Sequence, residues 1–315
     1  ESKTGYVEQS WNGYSKAMHE KLTTEAAHPD SADLDRLSSL ELVRLINAED
    51  AKIAAAVAAQ SESIAQVVDI IVERLAKGGR LIYLGAGTSG RLGVLDASEC
   101  PPTFNADPSQ VVGLIAGGDI ALRTAVEGAE DSRELAVDAL KKQRLTELDA
   151  VVGIAASGTT PYVLGGLDEA RSVGAAAIGL ACNRNALIAQ HADVTIAVVT
   201  GPEVLAGSTR MKAGTATKMV LNMLTTAAMV RLGKTYGNLM VDLRASNEKL
   251  VGRSLRILQQ LTGLAEDEAR IALRASDGEL KTAIVSQRLG VDAAAARERL
   301  LAAGGRLRVA LGDDE

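Results

Sequence analysis

Apolar residues along the chain occur with two different spacings. Short unbroken apolar runs of strand length are separated by longer stretches in which apolar residues recur at helical spacing. The runs predict buried strands at 80–85, 111–116, 150–156, 175–182 and 194–199. Helices are predicted between them, at 121–144 and 161–173. This alternation predicts an α/β fold with a doubly wound parallel sheet.

Helical patterns also precede and follow the predicted sheet. Residues 38–48 and 50–77 have helical periodicity and come before the first strand. A helix is predicted at 209–232, and no strand is expected beyond it. Three short helices are then predicted near 266–275, 278–289 and 292–302. We therefore expect flanking N-terminal helices and a small C-terminal helical bundle.

Composition sets the first 18 residues apart from the rest of the chain. Tyr6, Trp11 and Tyr14 lie ahead of Met18 in a sequence that is otherwise poor in aromatic residues. This segment is either an added extension or a natural N-terminal arm. The predicted division is an extension at 1–18, a helical segment at 19–72, a sheet domain at 73–236 and a helical region at 237–315.

A glycine-rich turn joins the first predicted strand to a helix. Its residues are Gly85, Ala86, Gly87, Thr88, Ser89 and Gly90. Backbone N–H groups at a helix start are unpaired and electropositive, so the turn predicts a phosphate site. The glycine spacing also fits a dinucleotide fingerprint, but the next acidic residue after a strand, Asp119, comes later than that fingerprint requires. The hydroxyls of Thr88 and Ser89 favour a phosphorylated metabolite.

A second hydroxyl-rich turn follows the third predicted strand. Pro161 stands where a helix begins, and it is preceded by Ser157, Gly158, Thr159 and Thr160. The carboxyl ends of parallel strands share one edge of the sheet, where ligands bind in open α/β folds. The two turns together therefore predict a sugar-phosphate site.

A third helix start combines hydroxyl groups with cations. Ser208, Thr209, Arg210 and Lys212 lie in the segment 207–215. These side chains suit an anionic ligand or the surface of a partner. An ordinary capped helix with basic surface residues is the alternative interpretation.

Glu99 is the first candidate for catalytic chemistry. It follows the glycine-rich turn within the same predicted helix, and Pro101 and Pro102 predict that this helix stops just after it. Glu99 would then lie in the last turn, where the helix dipole disfavours an anion. A carboxylate kept in such a place indicates a role in chemistry.

Glu130 is the second candidate. Gly128 weakens the helical pattern around it, and Asp131 with Glu134 can form a capping box that starts a new helix. We therefore expect Glu130 at a junction between helices rather than on a simple solvated face.

Composition and charge narrow the possible classes of protein. The chain has 315 residues, of which 47% are hydrophobic, and its net charge is −6 without a basic stripe, which argues against nucleic-acid binding. Only Cys100 and Cys182 are present, and neither a signal peptide nor an apolar run of 18 residues is visible. We expect a cytoplasmic protein that does not bind membranes. The three scattered histidines predict no metal site.

Four motifs occur together in an order that resembles the N-acetylmuramic acid 6-phosphate etherase family. They are residues 85–93, 96–104, 126–133 and 207–216, and the similarity runs from about Leu22 to the C-terminus. That family has a sugar isomerase (SIS) domain, so the resemblance implies a SIS fold at 73–236. It also implies a homodimer, no cofactor, and catalytic roles for Glu99 and Glu130.

The resemblance implies cleavage of the lactyl ether of N-acetylmuramic acid 6-phosphate, which releases N-acetylglucosamine 6-phosphate and D-lactate during recycling of peptidoglycan sugars. Opening the sugar makes its C2 proton acidic, so a base and an acid suffice for elimination and water addition. We assign Glu99 as the acid and Glu130 as the base or ring-opening group. A phosphosugar-binding regulatory protein or a phosphosugar isomerase is the alternative, and neither needs both glutamates.

Overall fold

The computed structural model describes residues 22–243 and 248–313 of the chain. Within these ranges the protein consists of one parallel sheet, helices on both of its faces, and a set of C-terminal helices. The predicted extension at 1–18 lies outside the described residues.

Five strands form the parallel sheet, as the apolar runs predict. They are β1 (Leu81–Gly85), β2 (Val111–Ile115), β3 (Ala150–Ile154), β4 (Ala176–Ala181) and β5 (Val194–Ala197). Their order across the sheet is β2-β1-β3-β4-β5, and all neighbours are parallel. The order changes direction between β1 and β3, so the carboxyl ends of these two strands flank the position where open α/β sheets bind ligands.

In the described part of the chain, seven helices accompany the sheet. They are α1 (Ser39–Asp50), α2 (Ile53–Ala58), α3 (Ser61–Ala76), α4 (Gly87–Phe104), α5 (Arg133–Lys142), α6 (Pro161–Ser172) and α7 (Lys212–Arg231). Apolar residues of α2, α3, α4 and α7 pack on one face, and those of α5 and α6 pack on the other. Alternate residues of β1 enter the two layers: Leu81 and Tyr83 enter the first, and Ile82 and Leu84 the second. The doubly wound fold is confirmed.

The helices before β1 differ in detail from the prediction. The expected helix at 50–77 is two helices, α2 and α3, separated by a turn at residues 59–60. Among the described residues, no helix taken alone has the length and apolar character to cross a membrane. Two consecutive helical segments, Ser39–Ala58 and Ser61–Ala76, are long and apolar enough when taken together, but the chain bends by 60° between them.

The helix predicted at 121–144 is wrong in its first half. Residues there form two 3-10 turns, Asp119–Leu122 and Ala129–Asp131, and only α5 is helical. Gly128 has a φ of +73°, which a right-handed helix cannot contain. The predicted capping box is also wrong, because Asp131 belongs to the second 3-10 turn. Ser132, with an extended backbone, caps α5 instead, since its Oγ accepts from the N–H of Leu135 at 3.2 Å.

The prediction that α4 stops before Pro101 is wrong as well. The helix continues through both prolines to Phe104 and ends at Asn105, which has a left-handed backbone with φ 50°. Cys100 and Phe104 are buried in the core, so packing compensates for the N–H groups that the prolines lack. Glu99 therefore lies before the last turn of α4, away from the negative end of the helix dipole.

The C-terminal part contains a hairpin that the sequence analysis excluded. β6 (Thr235–Tyr236) and β7 (Leu239–Met240) pair in antiparallel fashion around Gly237, whose φ is +55°. The helices that follow are α8 (Glu248–Thr262), α9 (Glu266–Ala275), α10 (Leu280–Leu289), α11 (Ala293–Ala302) and α12 (Leu307–Leu311). The three predicted short helices are confirmed as α9, α10 and α11, whereas α8 and α12 were not predicted.

The start of α4 lies unusually close to the end of β1. A Cβ built on Gly90 would lie 2.6 Å from the carbonyl oxygen of Gly85 and 2.6 Å from Cγ1 of Ile115. A Cβ on Gly85 would lie 2.7 Å from the backbone nitrogen of Gly90. Only glycine fits on both sides of this contact, which fixes where the turn between β1 and α4 lies.

A methyl group added at Gly90 should destabilise the fold, whereas one added at a helical glycine with free space around it should stabilise the fold. We expect Gly90→Ala to reduce the free energy of unfolding by about 1–3 kcal/mol, because the new methyl group displaces backbone atoms. Gly252→Ala is the matched control: it lies within α8 with no heavy atom inside 4 Å of the added Cβ, and we expect a gain of about 0.5–1 kcal/mol. Urea denaturation measures both, and an unchanged stability of Gly90→Ala would contradict the packing argument.

Candidate active site

The first predicted phosphate loop forms the amino terminus of α4. Ala86 precedes the helix with an extended backbone, and no side chain caps the helix start. The side chains of Thr88 and Ser89 are partly exposed and make no side-chain hydrogen bond to another described residue. Free N–H groups and free hydroxyls at one helix start can bind an anion. The sequence predicted Gly87 and Gly90 in this loop, and the structure places both there.

The second predicted loop lies between β3 and α6. The Oγ atom of Ser157 accepts hydrogen bonds from the N–H of Thr159 at 3.2 Å and from its Oγ1 at 3.0 Å. Gly158 has a φ of +74°, and a Cβ there would lie 2.3 Å from that of Ala186, so this position requires glycine. Thr160 precedes α6 without capping it. Pro161 brings no N–H group to this helix start, and the N–H of Val163 bonds to the carbonyl oxygen of Thr160 at 3.0 Å, so the hydroxyl groups of the loop are what it offers to an anion.

Asn183 fixes the second loop, although the sequence analysis did not single it out. Its Nδ2 donates to the carbonyl oxygen of Ala156 and to Oγ1 of Thr24, both at 3.0 Å. Its Oδ1 accepts from Oγ1 of Thr23 at 2.9 Å. Asn183 thus holds residues before α1 against the loop that contains Ser157. The available signal was its place at the end of a predicted strand, on the edge where ligands bind.

The third predicted anion site is already closed by a carboxylate. The fully buried Glu203 accepts from the N–H groups of Lys212 at 3.0 Å and Ala213 at 2.9 Å, and so caps α7. The helix starts at Lys212 rather than at the predicted residue 209, and Ser208, Thr209 and Arg210 lie in the turn before it.

The third segment nevertheless lies beside the first loop. A Cβ built on Gly214 would lie 3.6 Å from Cγ2 of Thr88. Since α4 and α7 both begin at the carboxyl edge of the sheet, the residues before α7 flank the open amino terminus of α4.

Lys212 is buried and holds a carboxylate of the N-terminal helices. Its Nζ lies 2.7 Å from Oε2 of Glu49, which also lies 3.2 Å from Nε2 of His28, and Lys52 pairs with the other carboxylate oxygen. Burial disfavours the charged form of Glu49, but the hydrogen bonds from Lys212, Lys52 and His28 outweigh it and lower the pKa of Glu49 to about 2. The ammonium group of Lys212 is therefore bound to protein in this structure.

Glu130 lies at the expected junction. It is exposed in the 3-10 turn Ala129–Asp131, immediately before α5, and its neighbour Ala129 is buried with Ala116 in the second core layer. Because Ala116 directly follows β2, this turn belongs to the carboxyl side of the sheet. The carboxylate of Glu130 thus lies on the same side as the two open loops.

Glu99 lines a cleft of about 240 Å³ between α4 and α7. The other lining residues are Leu92, Leu95, Asp96, Lys218, Leu221 and Asn222. Asp96 is buried and accepts hydrogen bonds from the hydroxyl of Tyr83 at 3.0 Å and from Nδ2 of Asn222 at 2.7 Å. These bonds anchor the helical turn before Glu99 to the sheet and to α7.

Cys100 lies next to Glu99 but is unsuited to nucleophilic chemistry. Burial, assisted by the charges of Asp96 and Glu99, raises the pKa of the Cys100 thiol to about 12. The thiol therefore stays protonated near neutral pH. Within residues 22–243 and 248–313, no group of three or more His, Cys, Asp or Glu side chains could hold a metal ion.

Glu99 lies far along α4 from the first phosphate loop of its own chain. Glu99 follows Gly87 by twelve residues in the same helix, which corresponds to about 18 Å along its axis. Gly87 lies at the carboxyl edge of the sheet with the second loop and the turn of Glu130. Glu99 lies towards the opposite edge, because α4 runs antiparallel to the strands. The structure thus groups Glu130 with the hydroxyl loops and separates Glu99 from them.

Comparisons with known proteins agree with this architecture. The SIS domain model matches residues 134–227, and the model of the N-terminal SIS domain of glucokinase regulatory protein matches residues 63–171. The model of the C-terminal lid domain of that regulatory protein matches residues 237–300. A phosphoheptose isomerase structure from Francisella tularensis covers 62% of this chain and all of its own, with 17% identity and a TM-score of 0.49. The parallel sheet and the two SIS-domain models define a SIS-domain protein.

Curated relatives identify the family within this class. N-acetylmuramic acid 6-phosphate etherases from Streptomyces avermitilis and Rhodopirellula baltica are each 58% identical, over 94% and 91% of this chain and 95% of their own length. The one from Mycolicibacterium smegmatis is 56% identical over 92% of this chain and 98% of its own. The chain belongs to the N-acetylmuramic acid 6-phosphate etherase family.

The contacts of Glu49 predict a pH-dependent loss of stability on substitution. Because its pKa is lowered to about 2 from an ordinary 4.5, its ionised form stabilises the fold above about pH 4.5, and this contribution fades as the pH falls towards 2. We expect Glu49→Gln to lower the free energy of unfolding at pH 7 by roughly 2–4 kcal/mol. The difference from the wild type should shrink below about pH 4.5.

Urea denaturation between pH 7 and pH 3 measures this difference. Glu73→Gln is the matched control, since Glu73 pairs with Lys77 on the surface, where such pairs contribute little. Equal losses for the two variants at pH 7 would contradict the special role of the buried carboxylate.

Proposed function

We propose that this protein cleaves the lactyl ether of N-acetylmuramic acid 6-phosphate to N-acetylglucosamine 6-phosphate and D-lactate. Membership of the etherase family supports this reaction. The structural observation that carries it is the open start of α4 and the hydroxyl-rich loop before α6, on one side of the sheet with the exposed carboxylate of Glu130. Such a site combines an anion-binding region with a group that can accept a proton.

The reaction is an elimination followed by addition of water. In the open-chain sugar, the C2 proton lies beside the C1 aldehyde, and a base removes it. The C2 electron pair forms a C2–C3 double bond while the C3–oxygen bond breaks and lactate leaves with a proton from an acid. Water then adds its oxygen to C3 and a proton returns to C2. A base and an acid are sufficient for all of these transfers.

We assign the steps as follows. The 6-phosphate binds at the starts of α4 and α6, which supply Gly87, Thr88, Ser89, Gly90, Ser157, Gly158, Thr159 and Thr160. The turn before α7 adds Ser208, Thr209 and Arg210, whereas Lys212 supports the site through Glu49. Glu130 acts as the base at C2 or assists ring opening, and Glu99 protonates the departing lactate oxygen and later helps to activate water.

The separation of the glutamates is consistent with a site shared between two copies. An acid must lie within hydrogen-bond distance of the departing oxygen, so about 18 Å along α4 is too far for Glu99 to serve the loop of its own chain. We propose a homodimer in which the partner subunit's Glu99 completes each site. The outer surfaces of α4 and α7 carry the exposed apolar residues Leu95, Met223 and Val230, which suit such an interface.

We also propose that residues 237–315 form a helical region separate from the SIS domain. A distinct buried cluster with members from Val241 to Leu311 supports this division. Its members are absent from the two clusters that cover the sheet. Action in the cytoplasm stays a prediction from the sequence.

The reaction can be tested by isotope labelling. Incubation with N-acetylmuramic acid 6-phosphate should release free D-lactate. We expect the product made in deuterated water to carry deuterium at C2, and the product made in ¹⁸O-labelled water to carry the label at the C3 hydroxyl. Mass spectrometry of the product measures both labels, after correction for exchange at the anomeric oxygen. An unlabelled C2 and C3 would exclude elimination and water addition.

Glu99→Gln should lower the rate of lactate release by about 10²–10⁴-fold, because an acid in position contributes this much. Binding of N-acetylglucosamine 6-phosphate, measured by calorimetry, should persist, since the phosphate loops are unchanged. Turnover close to that of the wild type in a folded Glu99→Gln protein would refute the assignment of the acid.

The shared site can be tested by mixing two inactive variants. After equilibration of Glu99→Gln with Glu130→Gln, half of the dimers are mixed, and each mixed dimer holds one site without a substitution. We therefore expect about a quarter of the wild-type activity to return in an equimolar mixture. If Glu99 served its own chain, every site would carry one substitution and the mixture would stay inactive.

A further inference from the structure

The cleft beside Glu99 contains a cation that the proposed steps do not use. Lys218 lies on α7 and lines this cleft opposite Glu99, which lies on α4. Its side chain is exposed, and among the described residues it has no ion-pair partner. This contrasts with Lys212, six residues earlier on the same helix, which is buried against Glu49. Lys218 is therefore available to an anionic ligand.

The other polar groups of the cleft are unavailable or already assigned. Asp96 uses one carboxylate oxygen to accept from Tyr83 and the other to accept from Asn222, so it serves to hold the cleft together. Glu99 is the proposed acid. An anion that entered would be repelled by the carboxylate of Asp96, and Lys218 is the cation lining the cleft that can offset this repulsion.

The remaining surface of the cleft is apolar. It is formed by Leu92, Leu95 and Leu221. The cleft thus combines one cation, one acid and an aliphatic surface in about 240 Å³. A small carboxylic acid that carries a methyl group and an ether oxygen matches this combination.

We propose that Lys218 binds the carboxylate of the lactyl group and that the leucine side chains contact its methyl group. This assignment rests on the proposed etherase function and deepens it, because it explains how the leaving group is recognised. The ether oxygen is attached to the carbon beside that carboxylate. Binding the carboxylate at Lys218 therefore positions the ether oxygen for protonation by Glu99 of the same subunit. Lys218 is a residue that determines specificity for a substrate carrying an acid at C3.

The experiment compares the natural substrate with its analogue in which the lactyl carboxylate is a carboxamide. The wild type should prefer the acid in kcat/KM, and Lys218→Met should lower kcat/KM for the acid by about 10–100-fold, since a charge-assisted hydrogen bond is lost. The value for the carboxamide should hardly change, so the preference disappears. Lys218→Arg should retain most of the preference for the acid over the carboxamide, because the guanidinium group keeps the positive charge.

Two controls separate recognition of the lactyl group from general damage. Lys142→Met removes an exposed lysine at the end of α5 and should leave the preference intact. The affinity for N-acetylglucosamine 6-phosphate, which lacks the lactyl group, should be the same in the wild type and in Lys218→Met. A preference for the acid that survives in Lys218→Met would overturn the assignment. The assignment would also be overturned if Lys218→Met lost as much affinity for N-acetylglucosamine 6-phosphate as for the natural substrate.

The failure of the reaction and the failure of the assignment are distinguishable. If the wild type released no lactate, the proposed function would be refuted. The role of Lys218 could still be tested by calorimetry, which measures the affinities for the acid and the carboxamide. Tighter binding of the acid by the wild type but not by Lys218→Met would support the assignment. Equal binding of the two compounds by the wild type would overturn it.

Discussion

The close approach of α4 to the end of β1 is the contact on which the rest of the site depends. Because Gly85 and Gly90 have no side chains, the helix begins directly above the strand and presents its open amino terminus at the edge of the sheet. Gly93 continues the contact one turn later, where a Cβ would lie 2.9 Å from that of Tyr83. The hydroxyl of Tyr83 then reaches Asp96. One packing contact thus positions both the phosphate loop and the cleft of Glu99.

Among the described residues, four helices begin at this edge of the sheet and differ in their caps; the start of α5 is capped by Ser132. The starts of α4 and α6 have no side-chain cap, whereas the buried carboxylate of Glu203 occupies the start of α7. A carboxylate in that position satisfies the N–H groups and cancels much of the positive end of the helix dipole. Anion binding is thereby directed to α4 and α6. The basic residues before α7 can contribute charge, but Glu203 already occupies the N–H groups of Lys212 and Ala213.

The sequence predicted the strands well because both faces of a parallel sheet are buried, which produces continuous apolar runs. It failed where packing overrides a local rule, as at Pro101, where the buried Phe104 keeps α4 helical. It also missed the hairpin at β6 and β7, whose strands are only two residues long. Asn183 and Glu49 could not be identified from the sequence, because the residues that they contact are remote along the chain. The cleft of Glu99 combines two helices, so no local motif reveals it.

The contacts that attach the N-terminal segment to the sheet have a consequence for the order of folding. Thr23 and Asn183 are 160 residues apart, and Glu49 and Lys212 are 163 apart. During synthesis from the amino end, the first three helices emerge long before their buried partners exist. The contacts of these helices with α7 form only after the start of α7 has left the ribosome. Closing such long loops is slow, so we expect attachment of this segment to be a late step in folding.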